Sequence, residues 1–166
     1  YSQPLMAKNE KKSQSKLSPR IVNKKALFNF ELVEKVEAGI ALLGTEVKSL
    51  RGGHCELEGS YARIKRGEIW LVGSKIAAYE KASIMNHEPL RDRKLLLHKR
   101  QIAKITSKLE QEGFTLVPIK VYFNDRGIAK VELALARGKR QFDKREKIKE
   151  RQQKKDIDRS IKKYKR

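Results

Sequence analysis

Cysteine, long apolar runs and acidic residues are all scarce in this 166-residue chain. The one cysteine, Cys55, cannot form a disulfide within the chain, which excludes a disulfide-stapled domain and is typical of a reducing compartment such as the cytoplasm. No apolar run approaches the roughly 20 residues that span a bilayer, and residues 1–5 lack the apolar core of a signal peptide. The sequence therefore predicts a cytoplasmic protein without a membrane-spanning segment.

Basic residues are in excess, and the excess is concentrated at the two ends. Forty Lys and Arg face 20 Asp and Glu, which gives a net charge of +20. Residues 1–25 carry +6 and residues 137–166 carry +10, whereas residues 26–136 carry only +4. Basic arms on a nearly neutral middle indicate a polyanion partner, because each cation placed near a phosphate releases a condensed counterion. Solubilising tails without a ligand are the alternative interpretation.

Apolar content divides the chain into three parts. Residues 1–20 are rich in Lys, Ser, Gln and Asn and are expected to be a disordered basic arm. Met6 is typical of a natural start, so residues 1–5 are expected to be an expression leader or the stub of a trimmed precursor. Residues 21–136 hold the core. Residues 137–166 are predicted to be a basic tail that is disordered when free and becomes helical when its cations meet phosphates.

Alternating apolar residues predict a mainly β fold. The predicted strands are 28–32, 36–42, 61–65, 68–72, 74–79, 114–123 and 128–136. Helices are predicted over 46–51, with Thr45 as N-cap, and over 99–111, ended by Gly113. Pro118 has no N–H to donate and should lie at an edge or a bulge. The pattern predicts a small antiparallel oligonucleotide-binding-like barrel with two or three packed helices, a fold whose faces and loops often contact RNA.

Residues that could carry catalysis or hold a metal are poorly arranged. His54 and Cys55 are adjacent, and neighbouring residues on a strand or helix generally point to different faces, which disfavours a nucleophile–base pair. The three histidines and one cysteine lack the spacing of a zinc site, and no Gly-rich phosphate loop occurs. Glu56 and Glu58 alternate like nuclease carboxylates, yet a solvated strand edge explains them better. The sequence predicts neither catalytic residues, nor a metal, nor a cofactor.

Two basic clusters beside predicted structure are the stronger candidates for binding. Asn23-Lys24-Lys25 directly precedes the first predicted strand, so its cations are held against the barrel. Arg91, Arg93 and Lys94 precede a run of three leucines, where a loop can present charge beside a fixed wall. Charge runs are usually solvated faces, but their association with aromatics and a rigid barrel favours RNA binding.

Several long motifs carry a resemblance to a known family. In chain order they are Asn23-Lys24-Lys25-Ala26, EAGIALLGTEVKSLRGG (37–53), Ser60-Tyr61-Ala62, NHEPLRDRKLLLHKR (86–100), GFTLVPIKVYF (113–123) and KVELALARGKRQFDKRE (130–146). Over about residues 22–151 the chain resembles the small protein B family, the tmRNA-binding proteins of bacterial trans-translation. The basic tail beyond that resembles the family in character more than in letters.

The resemblance implies a fold, a partner and a set of contacts. The family fold is an oligonucleotide-binding-like barrel with packed helices, and the partner is the tRNA-like domain of tmRNA, bound at its elbow. Carried over by motif position, the RNA-facing residues are Asn23, Lys24, Glu37, Leu96 and Lys130. An acid such as Glu37 on an RNA face must accept from a base edge or a ribose hydroxyl, or orient a neighbouring cation.

The tail is similar to the family segment that enters the empty mRNA channel and decoding centre of the small ribosomal subunit. Its implied ribosome-binding residues are Gly138, Lys139, Arg140, Phe142, Asp143, Lys144, Arg145, Ile148 and Lys149. Phe142 stands where other members carry a ring or a histidine, and a ring there can stack on a base. The resemblance also implies a delivery complex with elongation factor Tu. A monomer is expected.

Three alternative functions compete with RNA delivery. A ribosomal or initiation-type barrel shares the composition but would not carry the motifs at 86–100 and 130–146. An enzyme acting on RNA would need a carboxylate cluster or a general base. A basic membrane-surface protein would need an apolar helical face, and the tail offers only a thin stripe of Ile157, Ile161 and Tyr164, with Ile148 on the opposite side.

Overall fold

The computed structural model describes residues 19–82, 85–139 and 141–164. The strands are β1 (Ile21–Val22), β2 (Phe30–Ile40), β3 (Cys55–Glu56), β4 (Tyr61–Lys65), β5 (Glu68–Val72), β6 (Lys75–Ile76), β7 (Arg93–Leu96), β8 (Thr115–Phe123) and β9 (Ala129–Gly138). The helices are α1 (Lys24–Asn29), α2 (Gly44–Arg51), α3 (Lys99–Glu112) and α4 (Gln141–Tyr164). The predicted arm over residues 1–20 lies outside the described residues except for its last two positions.

Six antiparallel strands close into a barrel. The hydrogen-bonded order runs β8, β4, β5, β7, β2, β9, and β9 pairs with β8 again to close the ring. Strand β1 is hydrogen-bonded to β8 at Lys120 and Val121, a few residues beyond Leu116, where β4 pairs with β8. Strands β3 and β6 form a separate two-stranded sheet. Closure leaves no free barrel edge. The prediction of a mainly β, oligonucleotide-binding-like barrel is confirmed.

The core lies inside the barrel and is built by alternation along each strand. Ile69 and Leu71 of β5, and Leu133 and Leu135 of β9, are almost fully buried, and each such side chain contributes about 1.5–3 kcal/mol by leaving water. Helix α3 adds Ile105 to the same cluster.

Strands β8 and β9 are buried on both faces because α1 packs on their outer side. There Ala26 of α1 meets Val117 and Ile119 of β8 and Ala134 of β9 in a second apolar cluster. Small residues on the outer face of β9 let the helix approach closely. The two-sided burial explains why these strands read as nearly continuous apolar runs.

Helix α1 corrects the start of the strand predicted over residues 28–32: residues 28 and 29 are helical, and residues 30–32 are in a strand as predicted. Asn23 is the N-cap of α1, with Oδ1 accepting the N–H of Ala26 at 3.0 Å. Residues 30–40 then form one strand where two were predicted, joined near Glu34. A register shift between Leu32 and Glu34 leaves Val33 unpaired, so the predicted junction is a β-bulge within a continuous strand.

The remaining local predictions are confirmed with small changes of boundary. The two hairpins and both predicted helices are present. Helix α2 starts at Gly44 with Leu43 as N-cap, two residues before the predicted cap Thr45, because Glu46 accepts the Leu43 N–H at 2.7 Å. The strand predicted over 74–79 is limited to β6. Pro118 lies at a register shift between β8 and β9, a bulge as expected.

Candidate nucleic-acid interface

A cleft of about 690 Å³, lined by polar and apolar residues, opens between β2, the end of β7 and α3. Its lining includes Glu34, Glu37, Leu96, His98, Lys104 and Lys130. Three of these, Glu37, Leu96 and Lys130, were singled out from the sequence as RNA-facing residues. The structure brings them together from three different strands, and we call this surface the β2–α3 cleft.

Strand register positions those three side chains. Gly39 of β2 lies opposite Leu96 of β7 on one side and opposite Lys130 of β9 on the other. Glu37 lies two residues before Gly39 and therefore projects from the same face. A Cβ on Gly39 would stand only 3.2 Å from the Leu96 Cβ. Because Gly39 has no side chain, β2 and β7 can approach closely and the Leu96 side chain can lie over Gly39. The Leu96 side chain itself remains 52% exposed.

The Glu37 carboxylate is held in its charged form. The Tyr122 hydroxyl of β8 donates a hydrogen bond to Oε2, and Lys130 Nζ lies 3.5 Å from Oε1. The Tyr122 hydrogen bond, aided by the Lys130 charge, holds the pKa of Glu37 below its ordinary value. An exposed, ionised and oriented carboxylate can accept hydrogen bonds from base N–H groups or ribose hydroxyls.

Tyr122 is a site residue that sequence reasoning missed. Burial and the Glu37 hydrogen bond raise the pKa of Tyr122 to about 12, so its hydroxyl remains a donor. Arg20, which precedes β1, is close enough to act on Tyr122 electrostatically. The available signal was the resemblance motif 113–123, which contains Tyr122 but does not reveal its partner 85 positions away.

Lysines surround the acids of the cleft. Glu34 of β2 binds Lys104 Nζ at 2.7 Å and also pairs with Lys108, both from α3. These hydrogen bonds lower the pKa of Glu34 to about 2. Glu132 of β9 likewise pairs with Lys120, and this hydrogen bond lowers the pKa of Glu132. The rim therefore presents ammonium groups fixed by carboxylates, an arrangement suited to phosphate contacts.

The Asn23-Lys24-Lys25 cluster divides into one buried and two exposed residues. Asn23 is buried, and its Nδ2 donates to the carbonyls of Leu57 (2.8 Å) and Pro118 (3.1 Å). These side-chain atoms are occupied in fixing α1 on the barrel, and an RNA contact of Asn23 stays a prediction. Lys24 and Lys25 are exposed on α1, where Lys25 pairs with Glu58.

The Arg91–Lys94 cluster divides into Arg93, which is buried and structural, and the partly exposed Arg91 and Lys94, whose expected RNA contacts stay predictions. Arg93 is fully buried and donates through Nε to Glu46 Oε1 at 2.9 Å and through Nη1 to the Ser74 carbonyl at 2.6 Å. Arg91 donates through Nε to the same Glu46 oxygen at 2.8 Å. Lys94 remains half exposed and pairs with Glu68.

Glu46 is the buried counter-charge of both arginines. Burial acts to raise its pKa, but the Arg91 hydrogen bond, the Leu43 N–H and the Arg93 charge together lower the pKa below its ordinary value. This cluster ties α2 to the segment that precedes β7. It therefore sets the position of β7, and with it Leu96, in the cleft.

The predicted ribosome-binding residues lie along the end of β9 and the start of α4. Gly138 ends β9, and Lys139 Nζ donates to the carbonyls of Leu27 and Phe28 at the end of α1, each at 3.2 Å. Arg140 lies outside the described residues. Phe142, Asp143 and Lys144 belong to α4, but their side chains are not described. Arg145, Ile148 and Lys149 are exposed on α4.

The groups considered for catalysis have no catalytic arrangement in the described part of the chain. Burial raises the pKa of the Cys55 thiol to about 11, so it is not a thiolate near neutrality. His87 is buried between Thr45 and the Ile76 carbonyl. Across residues 19–82, 85–139 and 141–164 no cluster of potential metal ligands occurs, and no helix there is long and apolar enough to cross a bilayer.

The closed barrel, the cleft and the basic surface define the class of this protein: an oligonucleotide-binding-like barrel. Comparison with known proteins gives the family. Residues 20–163 match the family described as SmpB protein. The chain belongs to the SmpB family, and the resemblance found in its motifs is confirmed.

Relatives and a solved structure agree with this assignment. The SsrA-binding protein of Syntrophobacter fumaroxidans is 49% identical over 154 residues, which cover 93% of this chain and 95% of the relative. That of Rhizobium johnstonii is 56% identical over 129 residues, or 78% and 85%. A solved structure described as "tmRNA-SmpB: a journey to the center of the bacterial ribosome" is 52% identical with a TM-score of 0.64, covering 78% of this chain and 94% of that one.

Proposed function

We propose that this protein binds the tRNA-like domain of tmRNA and delivers it to stalled ribosomes for trans-translation. The observation that carries the proposal is the convergence of Glu37, Leu96 and Lys130 in the β2–α3 cleft. Their placement by strand register supports the contacts that the family resemblance implies. Family membership and the SsrA-binding relatives support the choice of RNA.

Each cleft residue has a distinct chemical part in this proposal. Glu37 accepts hydrogen bonds from a base edge or a 2′-hydroxyl, the group that distinguishes RNA from DNA. Lys130 and the α3 lysine Lys104 meet phosphates. Leu96 gives an unstacked nucleotide an apolar surface. Lys24, on α1, extends the cationic surface beyond the cleft.

The tail has a separate part in the proposal. The described side chains of α4 through Ile161 are exposed, among them Ile148, Ile157 and Ile161 at about half of their surface. A cationic helix with so little buried area gains much of its stability from an external partner. We propose that it enters the vacant mRNA channel and decoding centre of the small subunit, where rRNA phosphates order it.

The cellular setting is proposed from the family resemblance. We propose a monomer that acts in the cytoplasm, in a delivery complex with elongation factor Tu. Its role is binding and positioning, without catalysis. The buried, protonated Cys55 is compatible with a reducing compartment.

Charge reversal at Glu37 tests the proposal. Glu37→Arg should abolish capture of tmRNA in a filter-binding or gel-shift assay, while circular dichroism shows a folded barrel. Glu56→Arg is the matched control, because Glu56 is an exposed acid on the separate β3–β6 sheet. Wild-type affinity should also fall with salt, with a log–log slope of roughly −0.7 to −0.9 per phosphate contacted. Normal tmRNA binding by Glu37→Arg would show that the β2–α3 cleft is not the tmRNA-binding site.

A further inference from the structure

A second surface on the barrel combines an aromatic ring with cations. The outer faces of β4, β5 and β7, together with the β4–β5 turn, carry Tyr61, Arg63, Lys65, Arg66, Trp70 and Lys94; we call this surface the Trp70 face. The alternating burial along β5 supports this orientation, since Ile69 and Leu71 are inside and Trp70 between them is only partly buried.

Strand register places a cation on each side of the indole. Trp70 lies opposite Arg63 of β4 and opposite Lys94 of β7. Both cations are oriented by acids: Arg63 Nη2 binds Asp92 Oδ2 at 2.8 Å, and Lys94 pairs with Glu68. In the described part of the chain, the cation–ring contacts use other rings and leave the Trp70 indole unstacked.

A hollow of about 300 Å³ lies beside the indole. Its lining is Lys65, Arg66, Glu68, Trp70 and Asp92. Arg66 stands at the first turn position of the hairpin with φ 54° and Gly67 follows with φ 74°. Asn, Asp and Gly are the residues favoured at such a position. A cation is therefore presented at the hairpin tip against the local backbone preference.

We propose that the Trp70 face is a second RNA contact, which stacks an unpaired nucleotide on the indole of Trp70. The base lies on the ring, its exocyclic amine donates to a carboxylate of the hollow, and the adjoining phosphates meet Lys65 and Arg66. The inference rests on the proposed function, since it assigns a further contact to an RNA-delivering protein.

Charge and continuity favour RNA as the occupant. Four cations on this face stand against the two acids, Glu68 and Asp92, so the surface attracts a polyanion. Lys94 and Leu96 alternate on the same side of β7, about 7 Å apart. Leu96 borders the β2–α3 cleft, so one RNA can pass from the cleft to the Trp70 face along β7.

The chain itself supplies the probe, because Trp70 is its only tryptophan. A short oligoadenylate, titrated into the full-length protein, should quench the tryptophan emission and protect the indole from acrylamide. A saturating RNA that changes neither signal would overturn the proposal and leave the face to another kind of partner.

Substitutions separate stacking from charge. Trp70→Leu should weaken oligoadenylate binding about fivefold or more, since one base–aromatic stack is worth that much, whereas Trp70→Phe should retain most of the affinity. The double change Lys65→Gln with Arg66→Gln should reduce the salt slope, and the control Lys75→Gln, on the small sheet, should not. Wild-type affinity in folded Trp70→Leu would contradict stacking. The fluorescence quenching experiment uses the wild-type protein, so it tests the proposal even if a variant fails to fold.

The two proposals fail in distinguishable ways. Glu37→Arg should lose tmRNA but keep quenching by oligoadenylate, because Glu37 lies on β2, which contributes nothing to the Trp70 face. Binding of tmRNA without any change at Trp70 would sink the Trp70 face alone. Quenching by oligoadenylate in a protein that does not bind tmRNA would sink the proposed function alone.

Discussion

Tyr122 donates its phenolic hydrogen bond to Glu37 across strand β9, which lies between their own strands. The contact orients the one exposed carboxylate that the family resemblance assigns to RNA binding. It also stabilises the ionised form of that carboxylate, together with Lys130. The site therefore consists of an acceptor, a residue that positions it and a neighbouring cation.

Removing the Tyr122 hydroxyl should shift the pH dependence of RNA binding. In Tyr122→Phe the pKa of Glu37 returns toward its usual value, so the carboxylate protonates at a higher pH as the solution is acidified. We expect tmRNA affinity to fall about fivefold near neutrality and the acid limb of the binding profile to move to higher pH. Tyr79→Phe, the same change away from the cleft, is the control; superimposable profiles for all three proteins would refute the positioning role.

Neutralising Glu46 should destabilise the fold strongly. Glu46→Gln leaves the fully buried Arg93 without its counter-charge, a change that typically costs about 3–5 kcal/mol in free energy of unfolding. Urea denaturation measures it. Glu34→Gln, which breaks partly exposed ion pairs, should cost at most about 1 kcal/mol. An equal effect of the two substitutions would contradict the structural role of the arginine cluster.

The same carboxylate predicts the direction of acid destabilisation. The pKa of Glu46 is lower in the folded protein than its ordinary value of 4.5. Its contribution to stability is therefore complete above that ordinary value and is lost as the pH falls through the folded pKa. Wild-type stability should decline over this acidic window, and Glu46→Gln should show a shallower decline in urea titrations.

A methyl group at Gly39 should disturb the cleft through Leu96. The new Cβ would lie 3.2 Å from the Leu96 Cβ, which is fixed to the backbone of β7, so Gly39→Ala should cost about 1–3 kcal/mol and weaken tmRNA binding. Gly44→Ala is the control. It meets nothing within 4 Å in α2 and should stabilise the protein by up to about 1 kcal/mol. Equal changes in stability in Gly39→Ala and Gly44→Ala would contradict a close contact between Gly39 and Leu96.

Removal of the tail should separate RNA capture from ribosome rescue. Deletion of residues 140–166 keeps Lys139 and its hydrogen bonds to α1. We expect tmRNA affinity to stay within a few-fold of wild type, while peptide tagging on stalled ribosomes is lost. Full tagging activity in the truncated protein would refute the tail's role. An isolated 141–164 peptide should show weak helical circular dichroism in plain buffer and gain helicity with RNA.

Local patterns predicted the elements whose stabilising contacts are close in sequence. The β4–β5 hairpin follows from alternation around Arg66-Gly67, and α3 from its apolar stripe and Gly113. Helix α1 escaped prediction because Ala26 and Phe28 also fit a period of two. Its helical state depends on the Asn23 cap and on packing against β8 and β9, which are about 90 residues further along the chain.

The site residues divide in the same way. Motif position nominated Glu37, Leu96 and Lys130, which share the cleft, but it also nominated Asn23. The charge pattern nominated Arg93, and the fold occupies the polar groups of Asn23 and Arg93 internally. A basic or amide residue in a motif looks the same in the sequence whether its side chain faces solvent or binds a buried group. Only burial and hydrogen-bond partners distinguish the two, and these are properties of the folded chain.

The amino-acid sequence alone indicated a polyanion partner, the family and most of the strands, because net charge, motif order and hydrophobic periodicity depend only on the order of the residues. Tertiary structure decided which cations remain available to a ligand. It also decided that Tyr122 serves Glu37 and that Trp70 lies between two cations. Those relationships arise from barrel closure, which sets the register of strands far apart in sequence and so determines which side chains share a face.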